Sequence, residues 1–210
     1  MKIKVCGLKH QSNIEELMQL PIDYMGFIFY KKSPRFVEEN LSFDFMRTIP
    51  KHFKKTGVFV NENSYSICNK IAHYDLDMVQ LHGNESPEIC LELKSYTKVM
   101  KAFQINDHFD FERLENYSSV VDYFLFDSST ENYGGSGNAF NWQLLEKYNV
   151  DIPFFLSGGI SEEHIEEIKQ LNIPQPVAID INSKFETEPG LKNIAKIKPF
   201  ITKLNYNDNK

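Results

Sequence analysis

Two side chains that can exchange protons stand at the ends of apolar runs that lie far apart in the chain. Cys6 closes the run at residues 3–6, and Asp127 closes the run at residues 123–127. A thiolate can act as a base or a nucleophile. A carboxyl group at the end of a buried strand is costly unless it is paired or opens to a cleft. The alternatives are a small buried hydrophobic residue for Cys6 and a helix cap or loop anchor for Asp127.

Three more polar side chains follow apolar runs. Asp180 comes directly after residues 177–179, where its carboxylate could bind a substrate hydroxyl or orient a neighbour. Arg35 lies in the loop after residues 24–29, where a guanidinium can grip a carboxylate with two hydrogen bonds or belong to a solvated basic loop. His82 is the only histidine at the end of such a run. No histidine or carboxylate stands at ligand spacing from it, so the sequence predicts no metal site.

Two glycine clusters predict an anion-binding site. Gly134 and Gly135 follow the sixth apolar run, and Gly158 and Gly159 follow the seventh. Glycines let backbone N–H groups approach an oxyanion closely, although tight turns also need glycine. Loops near the seventh and eighth strands are the usual phosphate location in a (β/α)₈ barrel, which favours the anion-binding interpretation.

Composition excludes several classes of protein. Lys and Arg total 23 against 29 Asp and Glu, and this net charge of −6 disfavours a nucleic-acid binder. No window approaches the ~20 apolar residues of a membrane helix, and the N-terminus shows no secretory signal. Three cysteines without metal-like spacing predict reduced thiols, with Cys68 and Cys90 on the apolar faces of predicted helices. We therefore expect a cytoplasmic protein that binds neither nucleic acid nor membrane.

These candidate residues need elements that bring them together, and the apolar runs predict those elements. Several runs are continuously apolar, as strands buried on both faces should be. Eight runs separated by helical patterns match an α/β protein with a (β/α)₈ TIM barrel, here a single catalytic domain over residues 1–210. The alternative is an open doubly wound sheet, which usually has fewer strands. The eight runs cover residues 3–6, 24–29, 56–60, 78–82, 98–103, 123–127, 154–157 and 177–181.

The segments between the runs carry helix signals. Ser12 with Glu15 three residues later predicts a capping box. Ser86 followed by Pro87 predicts an N-cap and a first helical residue. Pro199 is expected to kink or restart the last helix.

Taken together, these motifs resemble those of the phosphoribosylanthranilate isomerase family. The resemblance runs in order over nearly the whole chain, and the segments at residues 4–8 and 156–159 are the most specific in combination. The matching segments lie at residues 4–8 (KVCGL), 26–30 (GFIFY), 33–35 (SPR), 57–61 (GVFVN), 79–83 (VQLHG), 126–127 (FD), 133–137 (YGGSG), 156–159 (LSGG) and 180–183 (DINS).

The resemblance implies a cofactor-free barrel that catalyses the Amadori rearrangement of N-(5-phosphoribosyl)anthranilate in tryptophan biosynthesis. By resemblance, Cys6 is the general base, Asp127 the general acid, and Arg35 the group that holds the anthranilate carboxylate. The resemblance also implies a small phosphorylated substrate as the ligand and a protein that is a monomer or a homodimer. The remaining substrate-binding candidates are His82, Gly134, Gly135, Gly158, Gly159, Asp180, Asn182 and Ser183.

One departure from the family pattern concerns the loop after the eighth run. The familiar pattern has two serines and a glycine after the aspartate, whereas Asn182, Ser183 and Lys184 follow it here. Loss of that glycine limits backbone approach to a phosphate, and Lys184 either adds a cation or points to solvent.

Two other functions share part of the pattern. An aminoimidazole-carboxamide ribotide isomerase-like enzyme would be expected to carry an aspartate on the first strand, where this chain has Cys6. A catalytically silent phosphate-binding barrel would keep the glycine loops but would not need both Cys6 and Asp127.

Overall fold

Eight parallel strands close into a barrel, as the sequence predicts. The computed structural model describes residues 1–38, 40–128, 141–171 and 176–205. Each strand pairs with the next along the chain, and β1 pairs with β8 to complete the ring. The strands are β1 Lys2–Val5, β2 Tyr24–Ile28, β3 Lys54–Phe59, β4 Met78–Leu81, β5 Lys98–Ile105, β6 Tyr123–Ser128, β7 Phe154–Leu156 and β8 Ala178–Ile181.

The strand ends differ from the predicted runs by one or two residues. Cys6, His82 and Ser157 each directly follow a strand instead of ending it, whereas β6 continues one residue past Asp127. These shifts keep Cys6, His82, Asp127 and Ser157 at the carboxyl end of the barrel, where the loops that follow the strands build the site.

The described connections contain six α-helices and four short 3₁₀ segments. The helices are α1 Gln11–Leu17, α2 Phe43–Thr48, α3 Ser64–Tyr74, α4 Pro87–Lys94, α5 Ile165–Gln170 and α6 Ile194–Asn205. The 3₁₀ segments are Phe111–Tyr117, Trp142–Lys147, Glu162–His164 and Ser183–Phe185. The connection between β5 and β6 therefore has a 3₁₀ segment where a regular barrel has an α-helix. In the described part of the chain, no helix is long and apolar enough to cross a membrane.

One predicted helix cap is wrong, and the last helix does not restart at Pro199. Helix α1 begins at Gln11, so Ser12 is not its cap. The Glu15 side chain instead accepts a hydrogen bond from Gln11 Nε2 at 2.9 Å. Helix α6 runs through Pro199 without interruption. Its buried residues on both sides of the proline, such as Ile197 and Phe200, hold it against the molecule. Packing of an apolar face commonly outweighs a local backbone preference.

The start of α4 is where the sequence predicts it. Ser86 is its N-cap and Pro87 its first residue, where the missing proline N–H costs nothing.

Alternate strand residues face opposite sides of the barrel wall, which separates two apolar layers. The larger layer lies between the strands and the surrounding helices. A smaller cluster fills the barrel interior below the site: Tyr24, Met78, Met100, Ala102, Leu125, Phe155 and Ala178. Interior filling of this kind makes the barrel a packed core that opens only at its carboxyl end.

A two-stranded antiparallel hairpin follows β8 and was not expected from the sequence. Its strands are β9 Glu186–Glu188 and β10 Leu191–Lys192. Gly190 turns between them with φ of +91°, a conformation that residues with a Cβ rarely adopt. The hairpin brings Glu186 and Lys192 next to the barrel mouth.

Candidate active site

An open cavity lies at the carboxyl end of the barrel. Nine sequence-predicted residues line it: Cys6, Arg35, His82, Asp127, Gly158, Gly159, Asp180, Asn182 and Ser183. The closed barrel therefore brings together side chains that are far apart in the sequence. Gly134 and Gly135 lie outside the described residues.

Cys6 sits above a buried ion pair. Lys4 lies two residues earlier on the same face of the chain and is fully buried. Its Nζ donates a hydrogen bond of 2.9 Å to Oδ2 of Asp180 on the neighbouring strand β8. The Cys6 side chain is itself buried, with 4% of its surface exposed. A cation thus lies beneath the thiol, with its own counter-charge beside it.

Burial decides the protonation state of this thiol in the open cavity. Burial raises the pKa of Cys6, Lys4 and Lys192 act to lower it, and Asp180 raises it further. The net pKa lies above the ordinary value of a thiol, because burial together with Asp180 outweighs the two lysines. The pKa of Lys4 is also raised: burial lowers it, but Asp180 and Cys6 outweigh that effect. Lys4 therefore stays charged beneath a neutral thiol.

Asp180 presents one oxygen that has no hydrogen-bond partner. Oδ2 accepts from Lys4, whereas the buried Oδ1 has no partner among the described residues. Burial raises the pKa of this carboxyl group, and Lys4 opposes the shift. A buried acceptor without a partner costs about 1–3 kcal/mol. Because Asp180 lines the cavity, a ligand hydroxyl can satisfy Oδ1.

Asp127 is flanked by a histidine that the sequence did not connect with it. Oδ2 of Asp127 lies 3.3 Å from Nε2 of His82, and Nδ1 of His82 lies 2.8 Å from the amide nitrogen Nε2 of Gln80. An amide nitrogen can only donate, so Nδ1 accepts and the ring proton lies on Nε2, facing Asp127. The other carboxyl oxygen, Oδ1, accepts from the backbone N–H of Ser128 at 2.8 Å.

Gly158 leaves room for this carboxyl group. A Cβ at Gly158 would stand 3.0 Å from Asp127 Oδ1 and 2.4 Å from the backbone nitrogen of Ser128. Its φ of +90° also favours glycine. The glycine that the sequence assigned to anion binding therefore also permits the close approach of β7 to Asp127.

Arg35 is held by a carboxylate of the protein. Its Nε donates to Oε1 of Glu186 at 2.9 Å, and its Nη2 donates to Oε2 of the same carboxylate at 2.6 Å. Lys192 Nζ also contacts Glu186 Oε1, at 2.6 Å, and donates to Asn182 Oδ1 at 2.7 Å. The solvated basic loop that the sequence left open for Arg35 is therefore wrong, because this side chain is only 14% exposed.

The predicted phosphate region forms one side of the cavity. Gly159 has a φ of +65°, and Ser183 opens a three-residue 3₁₀ segment. Lys184, on that segment, lines the cavity although its surface is largely exposed. These groups supply backbone donors, a hydroxyl and a cation on one wall. No group of three or more metal-ligating side chains occurs within the described residues.

The sequence reasoning missed two interior polar residues that a simple signal could have found. Lys4 and Gln80 stand two positions before Cys6 and His82, so the period of two places each pair on one face of its strand. The hairpin residues Glu186 and Lys192 have no such signal in the sequence. Glu186 contacts Arg35, and Lys192 contacts Glu186, only once the barrel has closed.

Comparison with known proteins identifies the family of this chain. Residues 3–203 match the family described as N-(5'phosphoribosyl)anthranilate (PRA) isomerase. The chain belongs to this family. It is 48% identical to N-(5'-phosphoribosyl)anthranilate isomerase of Parabacteroides distasonis, over 97% of this chain and 93% of that protein.

Solved structures of phosphoribosylanthranilate isomerases share the whole fold. The crystal structure from Thermotoga maritima has a TM-score of 0.87 and 32% identity, covering 97% of this chain and 98% of the other. A second structure, with a TM-score of 0.83, 29% identity and the same coverage, contains reduced 1-(o-carboxyphenylamino)-1-deoxyribulose 5-phosphate. Membership of the phosphoribosylanthranilate isomerase family confirms the resemblance, and the closed barrel rules out the open doubly wound sheet.

Proposed function

We propose that this isomerase converts N-(5-phosphoribosyl)anthranilate to 1-(2-carboxyphenylamino)-1-deoxy-D-ribulose 5-phosphate in tryptophan biosynthesis, with Asp127 as general acid and Cys6 as general base. The observation that carries the proposal is that one cavity presents a thiol and a carboxyl group together with an arginine. Acid and base on separate strands can act on different atoms of one sugar. The family name and the bound ligand of the related structure support this substrate.

The first step opens the ribose ring. Asp127 gives its proton to the ring oxygen, the bond between C1 and that oxygen breaks, and the nitrogen lone pair forms a protonated Schiff base. The resulting Asp127 carboxylate then has the Nε2–H of His82 at 3.3 Å as a donor. Because this hydrogen bond stabilises the Asp127 carboxylate, it favours transfer of the Asp127 proton to the ring oxygen.

The second step moves a proton from C2. The Cys6 thiol first gives its proton to solvent. The thiolate then takes the C2 proton, the C–H electrons form a C1–C2 double bond, and the Schiff-base nitrogen becomes neutral. The enolamine tautomerises to the ketone as the C2 hydroxyl loses its proton and C1 gains one. The positive Schiff base acidifies C2, so no cofactor is required in this mechanism. Its charge also adds to that of Lys4 in favouring the thiolate, against the burial that raises the pKa of Cys6.

The remaining cavity groups fit the ends of the substrate. Arg35 suits the anthranilate carboxylate, since a guanidinium binds carboxylates bidentately. Gly158, Gly159 and Ser183 suit the phosphate, with Lys184 as an added cation. The unpartnered Oδ1 of Asp180 suits a sugar hydroxyl.

A fluorescence assay of the anthranilate ring, with freshly prepared substrate, tests the proposal. We expect Cys6→Ser and Asp127→Asn each to fold normally and to lower kcat by at least about 10²-fold, because a positioned acid or base supplies about 10²–10⁴-fold. Cys90→Ser is the matched control, because this buried thiol lies on α4, away from the cavity.

Wild-type protein that folds and yet leaves the substrate unchanged would favour the silent phosphate-binding barrel. Normal turnover by Cys6→Ser would remove Cys6 from the mechanism, and normal turnover by Asp127→Asn would reassign the acid.

A further inference from the structure

Arg35 meets Glu186 through one defined edge of its guanidinium group. Nε contacts Oε1 at 2.9 Å and Oε2 at 3.0 Å, and Nη2 contacts Oε2 at 2.6 Å. The Glu186 side chain is 4% exposed, so water does not compete for this pair. A fork-to-fork contact of this kind fixes the plane of the guanidinium group as well as its position.

Glu186 is anchored independently of Arg35. Its Oε1 accepts from Lys192 Nζ at 2.6 Å and from the backbone N–H of Gly190 at 3.0 Å. Burial alone would raise the pKa of the Glu186 carboxyl group, but Arg35 and Lys192 outweigh burial and the pKa lies below its ordinary value. The group is therefore a fixed anion held by its own hairpin.

The stem of Arg35 is held next to the base. A Cβ on Gly7 would stand 2.6 Å from Arg35 Cδ and 2.8 Å from Asn182 Oδ1. Gly7 directly follows Cys6, and its φ of +76° favours glycine. The Arg35 side chain thus passes over Gly7 in close contact, and its head is fixed by Glu186.

This geometry decides which donors remain for a ligand. Glu186 takes the edge formed by Nε and Nη2. No described residue hydrogen-bonds to Nη1, so within the described part of the chain the edge formed by Nη1 and Nη2 remains available on a side chain that lines the cavity. We propose that Glu186 is a positioning residue that turns this second edge of Arg35 toward the carboxylate on the substrate's aromatic ring. The proposal rests on the function proposed above and identifies the residue that sets the register of the ring relative to Cys6.

A matched pair of hairpin variants tests the proposal. Glu186→Gln and Glu188→Gln remove the same charge from the same strand, but Glu188 is exposed. For Glu186→Gln we expect KM to rise about 10-fold to 100-fold, the range for a hydrogen bond between charged groups, with kcat changed less than about threefold. Glu188→Gln should match the wild type in both constants. Equal kinetics in the two variants would overturn the proposal.

Binding of two probes separates positioning from a merely structural role. The first probe is reduced 1-(o-carboxyphenylamino)-1-deoxyribulose 5-phosphate, and the second is the same compound without the ring carboxylate. Glu186→Gln should weaken binding of the first probe about 10-fold or more and leave the second unchanged. Equal weakening of both probes would show a general disturbance of the site and overturn the proposal.

Two further readouts keep the result interpretable. Should Glu186→Gln fail to fold, Glu186→Asp keeps the charge for Lys192 but shortens the reach to Arg35, and the same contrast between the two probes is expected. Because the probes report binding alone, a wild-type protein without turnover would contradict the proposed function and leave the test of Glu186 intact.

Discussion

Gly26→Ala should displace the thiol without emptying the site. A Cβ at Gly26 of β2 would stand 2.7 Å from Cys6 Sγ, 2.9 Å from Cys6 Cα and 3.1 Å from Cys6 Cβ. Nonbonded carbon contacts are comfortable at about 3.5–4.0 Å, so the sulfur must move by roughly 1 Å. Rotation of Cys6 alone cannot relieve the contact with its backbone Cα.

The expected magnitude follows from this displacement. A misplacement of about 1 Å costs a catalytic group about 10²-fold in rate, and overpacking of a full interior costs about 1–3 kcal/mol in the free energy of unfolding. For a chain of this size, each kcal/mol lowers Tm by about 2–4 °C. Gly26→Ala should therefore remain folded at assay temperature, with a modestly lower Tm and a kcat lower by about 10²-fold.

Gly57→Ala is the matched control on the neighbouring strand β3. Its Cβ would meet only side-chain atoms, Leu76 Cδ1 at 2.6 Å and Phe59 Cε2 at 2.8 Å, in the layer outside the barrel. A comparable loss of Tm with nearly unchanged kcat is expected. The reasoning is refuted if folded Gly26→Ala keeps a kcat within about threefold of the wild type, or if Gly57→Ala loses kcat equally.

Two further predictions concern stability. The pKa of Tyr24 is raised to about 12, first by burial and then by Tyr123 and Asp23. The free energy of unfolding should therefore fall as pH rises from about 10 to 12. In alkaline denaturation curves Tyr24→Phe should lack this fall, and a curve identical to the wild type would contradict the assignment of the fall to Tyr24. The pKa of Asp75 is lowered to about 2 by Lys51 and then Lys55. Because Asp75 is 38% exposed and solvent screens its ion pairs, Asp75→Asn should lower the free energy of unfolding near pH 7 by about 0.5–1 kcal/mol. In urea titrations this deficit should shrink as pH falls from about 4 to 2, because protonation then removes the wild-type carboxylate as well; a deficit that stays constant with pH would refute the ion-pair explanation.

The barrel was predictable because its strands are buried on both faces. Apolar runs such as residues 123–127 have no helical period and therefore predict strands. Eight such runs with helical segments between them are enough to predict a (β/α)₈ barrel. Helix ends were less predictable because several side chains compete for each cap. At the start of α3, Asn63 is the N-cap, since its Oδ1 accepts from the Ser66 N–H, and the neighbouring Ser64 is the first helical residue.

The site was predictable where a functional residue follows an apolar run. Cys6, Asp127 and His82 are such residues, and all three reach one cavity. The ion pair of Lys4 with Asp180 and the contact of Arg35 with Glu186 depend on strand closure and on the hairpin. No pattern local to these residues encodes either contact, since each partner belongs to a remote part of the chain.

Pairing of β1 with β8 joins two remote parts of the chain in a single functional unit. During synthesis, Lys4 and Cys6 leave the ribosome long before Asp180 and the hairpin. A nascent chain that stops before β8 has a lysine without its counter-anion and an arginine without its clamp. The site is therefore complete only once residues through the hairpin are present, because Lys4 and Arg35 take their partners from this late part of the chain.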